Sequence, residues 1–186
     1  MDLTKAIKNR HSVKKFKEKK PDWRNIVECI DAARYAPMAG SNYSLKFILV
    51  SDKNIIEKLA DAAQQPFISK VHYVVVACSN PSRTVNAYGG ARGEIYVRQQ
   101  AGAAIQNFLL KLEEAGLSAS WIGHFVEEQV KKILNIPEHV HVEAFFPIGY
   151  EFEKKYTRKE KIDLDNILYF DGYDNKKMKS PNAMDV

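Results

Sequence analysis

Five consecutive residues near the start of the chain, Arg10-His11-Ser12-Val13-Lys14, put a guanidinium, a hydroxyl and an ammonium within reach of one anion. Arginine offers a two-pronged fork to a phosphate, serine a short hydrogen bond and lysine a point charge. Taken alone, the pattern fits a phosphate site or a basic surface patch. A second segment, Ala36-Pro37-Met38-Ala39-Gly40-Ser41-Asn42, consists mostly of small residues and leads into Lys46-Phe47-Ile48-Leu49-Val50. Such a loop lets backbone amides come close to a planar ligand, or it is an ordinary turn between helix and strand. Gly89-Gly90-Ala91-Arg92-Gly93 has the wrong spacing for a dinucleotide fingerprint and reads as a mobile loop. His139, His141 and Glu143 alternate and would offer three metal ligands on one strand face. Flanking Glu138 and the lack of further ligands favour a polar strand edge, so no metal is expected. No Ser/His/Asp or Cys/His arrangement stands out as a nucleophilic centre.

The charge balance supports an anionic ligand. Lys and Arg number 28 against 23 Asp and Glu, a net +5. Lys5, Lys8, Arg10, Lys14, Lys15, Lys17, Lys19 and Lys20 form one basic cluster, and Lys154, Lys155, Arg158, Lys159 and Lys161 a second. Clusters of this kind attract phosphate, nucleotide or nucleic acid. Aromatic side chains are not interleaved with them as stacking platforms, which argues against a nucleic-acid partner. No apolar stretch approaches the ~18 residues of a membrane span, and the first residues lack the apolar block of a signal peptide. The two cysteines, Cys29 and Cys78, each lie in an apolar run. They read as buried free thiols of a reducing compartment, with a cytoplasmic location expected.

The elements that must position these residues follow from apolar periodicity. A short helix fits 2–10. A clearer one carries Trp23, Ile26, Val27, Ile30 and Ala33 at helical spacing, with Asp22 as its cap and Pro37 beyond its end. Strands fit 46–50, 73–78, 118–123, where the strand ends in a loop, and 142–150, broken at Pro147 and Gly149, and helices fit 54–63, about 94–115 and the stretch around Val130, Ile133 and Leu134. The loop 79–93 reads as irregular. Alternating helices and strands predict a layered mixture of α and β around one sheet. One domain over 1–186 is expected, with about 160–186 as a C-terminal arm. There Leu168, Tyr169 and Phe170 have no core of their own and would pack on the body or a partner subunit.

In order and spacing, these pieces resemble the nitroreductase family of flavoproteins over about residues 3–173. The match runs through R-x-S-x-K, then A-P-x-x-G, A-x-x-x-Q-N-x-L-L, G-L-x-x-x-W-I-G and P-x-G-Y, to a basic stretch containing Arg158. The resemblance implies an α+β sandwich with a central, mostly antiparallel sheet flanked by helices. It also implies an intertwined homodimer with one FMN at each end of the interface. Arg10, Ser12 and Arg158 match phosphate positions, His11 contributes through its backbone, and Lys14 matches a position at the pyrimidine end of the flavin. Met38, Ser41 and Asn42 match a loop contributed by the partner subunit. Met38 stands there where Ser is usual, Ser41 where Asn is usual and Tyr43 where Gln is usual, with Asn42 displaced by one residue. Gln65 matches a polar position at the pyrimidine ring, or is an exposed loop residue. Trp121, Ile122 and Gly123 match the segment against one flavin face. The implied activity is ping-pong transfer of hydride from NADH or NADPH through flavin N5 to a small acceptor such as a nitroaromatic, a quinone or a flavin. The flavin carries the chemistry, so no side chain is expected to be catalytic in its own right. The alternatives are an FMN carrier without turnover and, from another class, a basic nucleic-acid-binding module.

Overall fold

The computed structural model describes residues 2–153 and 162–178. Arg158 lies outside the described residues. In chain order the elements are α1 (Leu3–Asn9), α2 (Trp23–Asp31), β1 (Leu45–Val50), α3 (Lys53–Ala62), β2 (Tyr73–Ser79), α4 (Ser82–Tyr88), α5 (Gly90–Glu114), β3 (Ser118–Ala119), α6 (Glu127–Leu134) and β4 (His141–Gly149). Asp2, Asp22 and Asp52 cap α1, α2 and α3, each accepting a first-turn backbone N–H. Such caps are worth about 1 kcal/mol each.

The strands form one antiparallel sheet in the order β1-β2-β4-β3. β2 is buried along its whole length because both faces are covered. Tyr73, Val75 and Ala77 face a core shared with Ile26 and Cys29 of α2 and with Ala101, Ile105, Phe108 and Leu112 of α5. Val74, Val76 and Cys78 face a second core with Ile56 and Leu59 of α3 and Val130 of α6. This explains why 73–78 reads as an unbroken apolar run instead of an alternating one. Phe108, Phe145 and Phe146 are fully buried, each stabilising the fold by about 1.5–3 kcal/mol.

β4 changes face at a bulge. Ala77 pairs with Ala144 but Cys78 with Val142, leaving Glu143 as the extra residue. The bulge lets Val142 join one core and Ala144 the other. It also breaks the common face expected for His139, His141 and Glu143, and no group of three possible metal ligands occurs among the described residues. The Glu143 carboxylate accepts from Ser79 Oγ at 2.5 Å and from Arg98 Nη1 at 3.2 Å, so it has structural partners.

Three further expectations need correction. The segment 79–93 is not irregular: it contains α4, and α5 begins at Gly90. Only Thr84 of α4 is buried, so no apolar stripe betrays the helix in the sequence. The break expected at Pro147 does not occur, since Pro147 pairs with Val74 inside β4; within 118–123 the strand ends after Ser118–Ala119, with Ile122 keeping the same register against Phe145. On α2, the buried seam is Ile26 and Cys29, continued by Ala33, while Trp23 is 48% and Val27 45% exposed.

The described residues fall into two units, divided after Lys154. In the second, Leu164–Asn166 make a 3-10 turn, the rings of Tyr169 and Tyr173 meet tilted at 54° with centroids 4.9 Å apart, and Lys176 lies 4.2 Å over Tyr169. No helix among the described residues is long and apolar enough to cross a membrane.

Candidate functional site

The basic pentapeptide begins where α1 ends. Arg10 closes that helix, its N–H donating to the Ala6 carbonyl at 2.9 Å, and its ψ of 125° turns the chain out. The extended chain then adds to the free side of β3. Ser12 forms a parallel bridge with Ala119, and the Val13 N–H donates to the Ala119 carbonyl at 3.1 Å. Val13 is buried, which anchors the segment and leaves its neighbours Ser12 and Lys14 exposed. Further along, the Phe152 N–H donates to Lys15 O at 3.0 Å and the Lys17 N–H to Tyr150 O at 2.8 Å. Phe16 crosses Gly149 so closely that a Cβ there would stand 2.9 Å from the ring. Only glycine fits in Pro147-Ile148-Gly149-Tyr150.

Lys14 points its Nζ over the ring of Phe67, 5.9 Å from the centroid. Phe67 belongs to the 3-10 turn Pro66–Lys70, which Gln65 precedes. Gln65 is half-buried, its N–H bound to the Ala60 carbonyl at 3.0 Å. On the other side, Ile122 exchanges two backbone hydrogen bonds with Phe145, at 3.0 and 3.1 Å. The Trp121 ring meets Phe146 edge-on at 5.5 Å and remains 42% exposed, and Gly123 is exposed. The structure therefore brings the 12–14 segment together with the turn after Gln65 and with the edge strand that leads to Trp121, Ile122 and Gly123.

The lysines beside this segment are largely absorbed by aromatic rings. Lys15 lies 4.0 Å over Phe152, Lys19 4.9 Å over Tyr150 and Lys20 5.4 Å over Tyr73. Arg10 and Lys14 have no carboxylate partner among the described residues. His11 is held at both ring nitrogens, with Nδ1 2.8 Å from the Asn9 carbonyl and Nε2 3.0 Å from Glu151 Oε1.

The loop carrying Met38, Ser41 and Asn42 lies elsewhere. Gly40 and Ser41 are both left-handed, at φ +54° and +57°. Gln100, buried on α5, accepts the Ser44 N–H at 2.9 Å, and its Nε2 donates to Asn42 O at 3.4 Å. Met38 and Ala39, with Tyr96, Gln99 and Ala103, line a hollow of about 340 Å³. The Asn80 N–H binds Ser44 O at 2.8 Å, so the loop leaves the sheet at its Ser79–His141 end. Ser12, by contrast, borders Ala119, which pairs with Ile148. From His141 to Ile148 along β4 is roughly 20 Å at about 3.3 Å per residue. On one chain, Met38, Ser41 and Asn42 are not brought to the Arg10–Lys14 cluster.

Sequence reasoning missed Gln100 and Glu151. Gln100 could have been found, as a polar residue adjoining the apolar stripe of Ala101, Ala104, Ile105 and Phe108. Glu151 carries no such signal, because only the fold brings it to a histidine 140 positions away.

Comparison with known proteins bears on the same segments. The Nitroreductase family model matches residues 7–73 and 63–150. A Methanothermobacter thermautotrophicus protein named as an NADH dehydrogenase/NAD(P)H nitroreductase is 29% identical over 175 residues, covering 90% of this chain and 86% of that protein. The crystal structure of a nitroreductase family protein from Clostridium novyi is 26% identical with a TM-score of 0.76, covering 98% and 100% of the two chains. The NADPH:FMN oxidoreductase of Vibrio harveyi, solved with NAD+, has a TM-score of 0.80 over 92% of this chain and 77% of its own. At 19% identity it shows the fold alone.

Proposed function

Since the chain belongs to the nitroreductase family, we propose that it is an FMN-dependent oxidoreductase that takes electrons from NADH or NADPH and passes them to a small acceptor such as a nitroaromatic, a quinone or a flavin. The observation that carries this reading is the gathering of Arg10, Ser12 and Lys14 with the Gln65–Phe67 turn and with Trp121, Ile122 and Gly123 at the β3 edge. The residues present fit a flavin mononucleotide. The Arg10 guanidinium, without a carboxylate partner among the described residues, and the exposed Ser12 hydroxyl suit a terminal phosphate, and a half-exposed indole beside backbone groups suits a planar ring.

FMN when bound supplies the hydride chemistry. The chain's own part is to hold and shield it. Arg10 and Ser12 take the phosphate, with Arg158 as the further cation that the sequence resemblance implies. Lys14 places a positive charge at the pyrimidine end, next to Gln65, and the 121–123 segment presents backbone to one ring face. Met38, Ser41 and Asn42 enter from a second copy: their loop joins the sheet about 20 Å along β4 from the strand end that Ser12 borders. A homodimer also accounts for the exposed apolar groups Leu3, Trp23, Val27 and Tyr35 on and after α1 and α2.

Binding of FMN and of riboflavin, followed by fluorescence quenching, tests the assignment. Arg10→Ala should weaken FMN binding ten- to a hundredfold, about 1.5–3 kcal/mol, and leave riboflavin binding unchanged. Equal affinities in wild type and variant would refute it. Anaerobic bleaching of the flavin by NADH or NADPH, followed by turnover with a quinone, separates an enzyme from an FMN carrier.

A further inference from the structure

Glu151 is the unexplained group beside this site. It follows β4 and forms a backbone bridge with Phe16, and its side chain is only 10% exposed. One oxygen, Oε1, faces His11 Nε2 at 3.0 Å. The other, Oε2, is buried without a hydrogen-bond partner. A buried carboxylate left half-satisfied is costly, so it needs a cation beside it. His11 is the side chain that faces it, and both ring nitrogens face acceptors: the Asn9 carbonyl at 2.8 Å and Glu151 Oε1. A neutral imidazole has one N–H and can satisfy only one of them, whereas the imidazolium satisfies both.

We propose that Glu151 is a positioning residue for the phosphate cradle, clamping His11 as an imidazolium that fixes the Arg10–Ser12 turn and neutralises the buried carboxylate beside the anion. The inference rests on the reading of Arg10 and Ser12 as phosphate ligands. The charged groups around His11 are Glu151 after β4 and Glu113 on α5, with Arg10 and Lys14 in its own segment. Burial opposes charge on the imidazole, but the Asn9 carbonyl, the Glu151 hydrogen bond and the two carboxylates outweigh it, holding His11 above its ordinary 6.5. While His11 is protonated, the His11–Glu151 pair is neutral. Once it loses the proton, the pair leaves a bare carboxylate next to the phosphate. Anion affinity should therefore be full below the His11 pKa and fall as pH rises through it. The phosphate of FMN has its own second ionisation near ~6, so the fall is assigned to His11 only where it follows the midpoint of the ring itself.

The test is an NMR titration of the His11 ring in wild type and Glu151→Gln, with binding of FMN and, separately, of inorganic phosphate measured in both proteins across the ring's midpoint, so that the ionisation of the anion itself, common to both, divides out. Phosphate binding is followed at the Ser12 amide. The expected result is a His11 midpoint above 6.5 that drops in Glu151→Gln. FMN and phosphate affinities should decline in wild type relative to the variant as pH rises through the His11 midpoint, by up to roughly tenfold, because the uncompensated Glu151 charge then repels the anion. In the variant, which has no carboxylate there, only the pH dependence of the anion itself should remain. A midpoint unmoved by Glu151→Gln, or pH-independent affinity for bound FMN, overturns the inference and leaves the flavoprotein reading standing. Phosphate affinity that tracks the His11 midpoint without any FMN binding upholds the inference and overturns the flavoprotein reading. No binding of either anion overturns both.

Discussion

Lys14 holds its ammonium 5.9 Å above the centre of the Phe67 ring and has no carboxylate partner among the described residues. The contact sets the direction of the side chain, toward the turn that Gln65 begins, while leaving its charge uncompensated. A cation so placed stabilises negative charge on a reduced flavin more than it stabilises the oxidised form. Lys14→Met should lower the midpoint potential of bound FMN, by up to about 30 mV, equivalent to ~1.4 kcal/mol for two electrons. FMN affinity should fall less than in Arg10→Ala. Spectroelectrochemical titration checks this, and a collapse of affinity with an unchanged potential would make Lys14 a phosphate ligand instead.

Gly40 is tied to its conformation twice over. It sits at φ +54°, and a Cβ there would stand 2.5 Å from the Tyr88 hydroxyl oxygen. Gly40→Ala should destabilise the fold by about 1–3 kcal/mol in thermal or denaturant unfolding. Adding Tyr88→Phe should recover the part due to the clash and leave the part due to the backbone, a distinction that a double-mutant cycle measures.

Both thiols should be inert in the folded chain. Burial pushes Cys29 up to about 12 and Cys78 to about 11, and only the thiolate reacts with disulfide reagents. Labelling with a thiol reagent at pH ~8 should proceed at the rate of unfolding or opening. The sign for stability follows. The unfolded thiols ionise near 9.0 and the folded ones later, so their contribution is intact below pH 9.0 and is lost as pH rises from there toward the folded values. Denaturation midpoints in Cys78→Ala should depend less on pH in that range than those of wild type.

The C-terminal arm should be required for assembly. Ile162, Leu164 and Ile167 expose more than three-fifths of their surface, and Tyr173 exposes 88%, more apolar area than a solvated segment needs. A chain ending at Glu160 should run as monomer or aggregate in light scattering and should lose FMN. A flavin-loaded truncated dimer would contradict this role of the arm.

Much of the fold was legible because local signals agreed with it. Asp22 and Asp52 cap the helices that their neighbours' periodicity predicts, and the run Tyr73-Val-Val-Val-Ala-Cys78 is the doubly covered central strand. What stayed hidden lacked a local cause. α4 buries a single residue, Thr84, and the bulge at Glu143 depends on β2 running alongside. The exposure of Trp23 and Val27 depends on which face of α2 the single chain covers.

The division for the site has the same origin. Residue type and order alone determined which chemistry was available: a guanidinium, a hydroxyl and an ammonium in one pentapeptide, a loop of small residues, and a Trp-Ile-Gly turn in the order of one family. Tertiary structure alone decided which of them share a space. Backbone pairing of Ser12 with Ala119 joins the first to the third. The length of β4 puts the strand end at which the Met38–Asn42 loop joins the sheet about 20 Å from the end that Ser12 borders. Pairing across 140 positions supplies Glu151 to His11. Distances of that kind are set by the hydrogen-bond register of a completed sheet, which depends on all of its strands at once, so no stretch of sequence contains them.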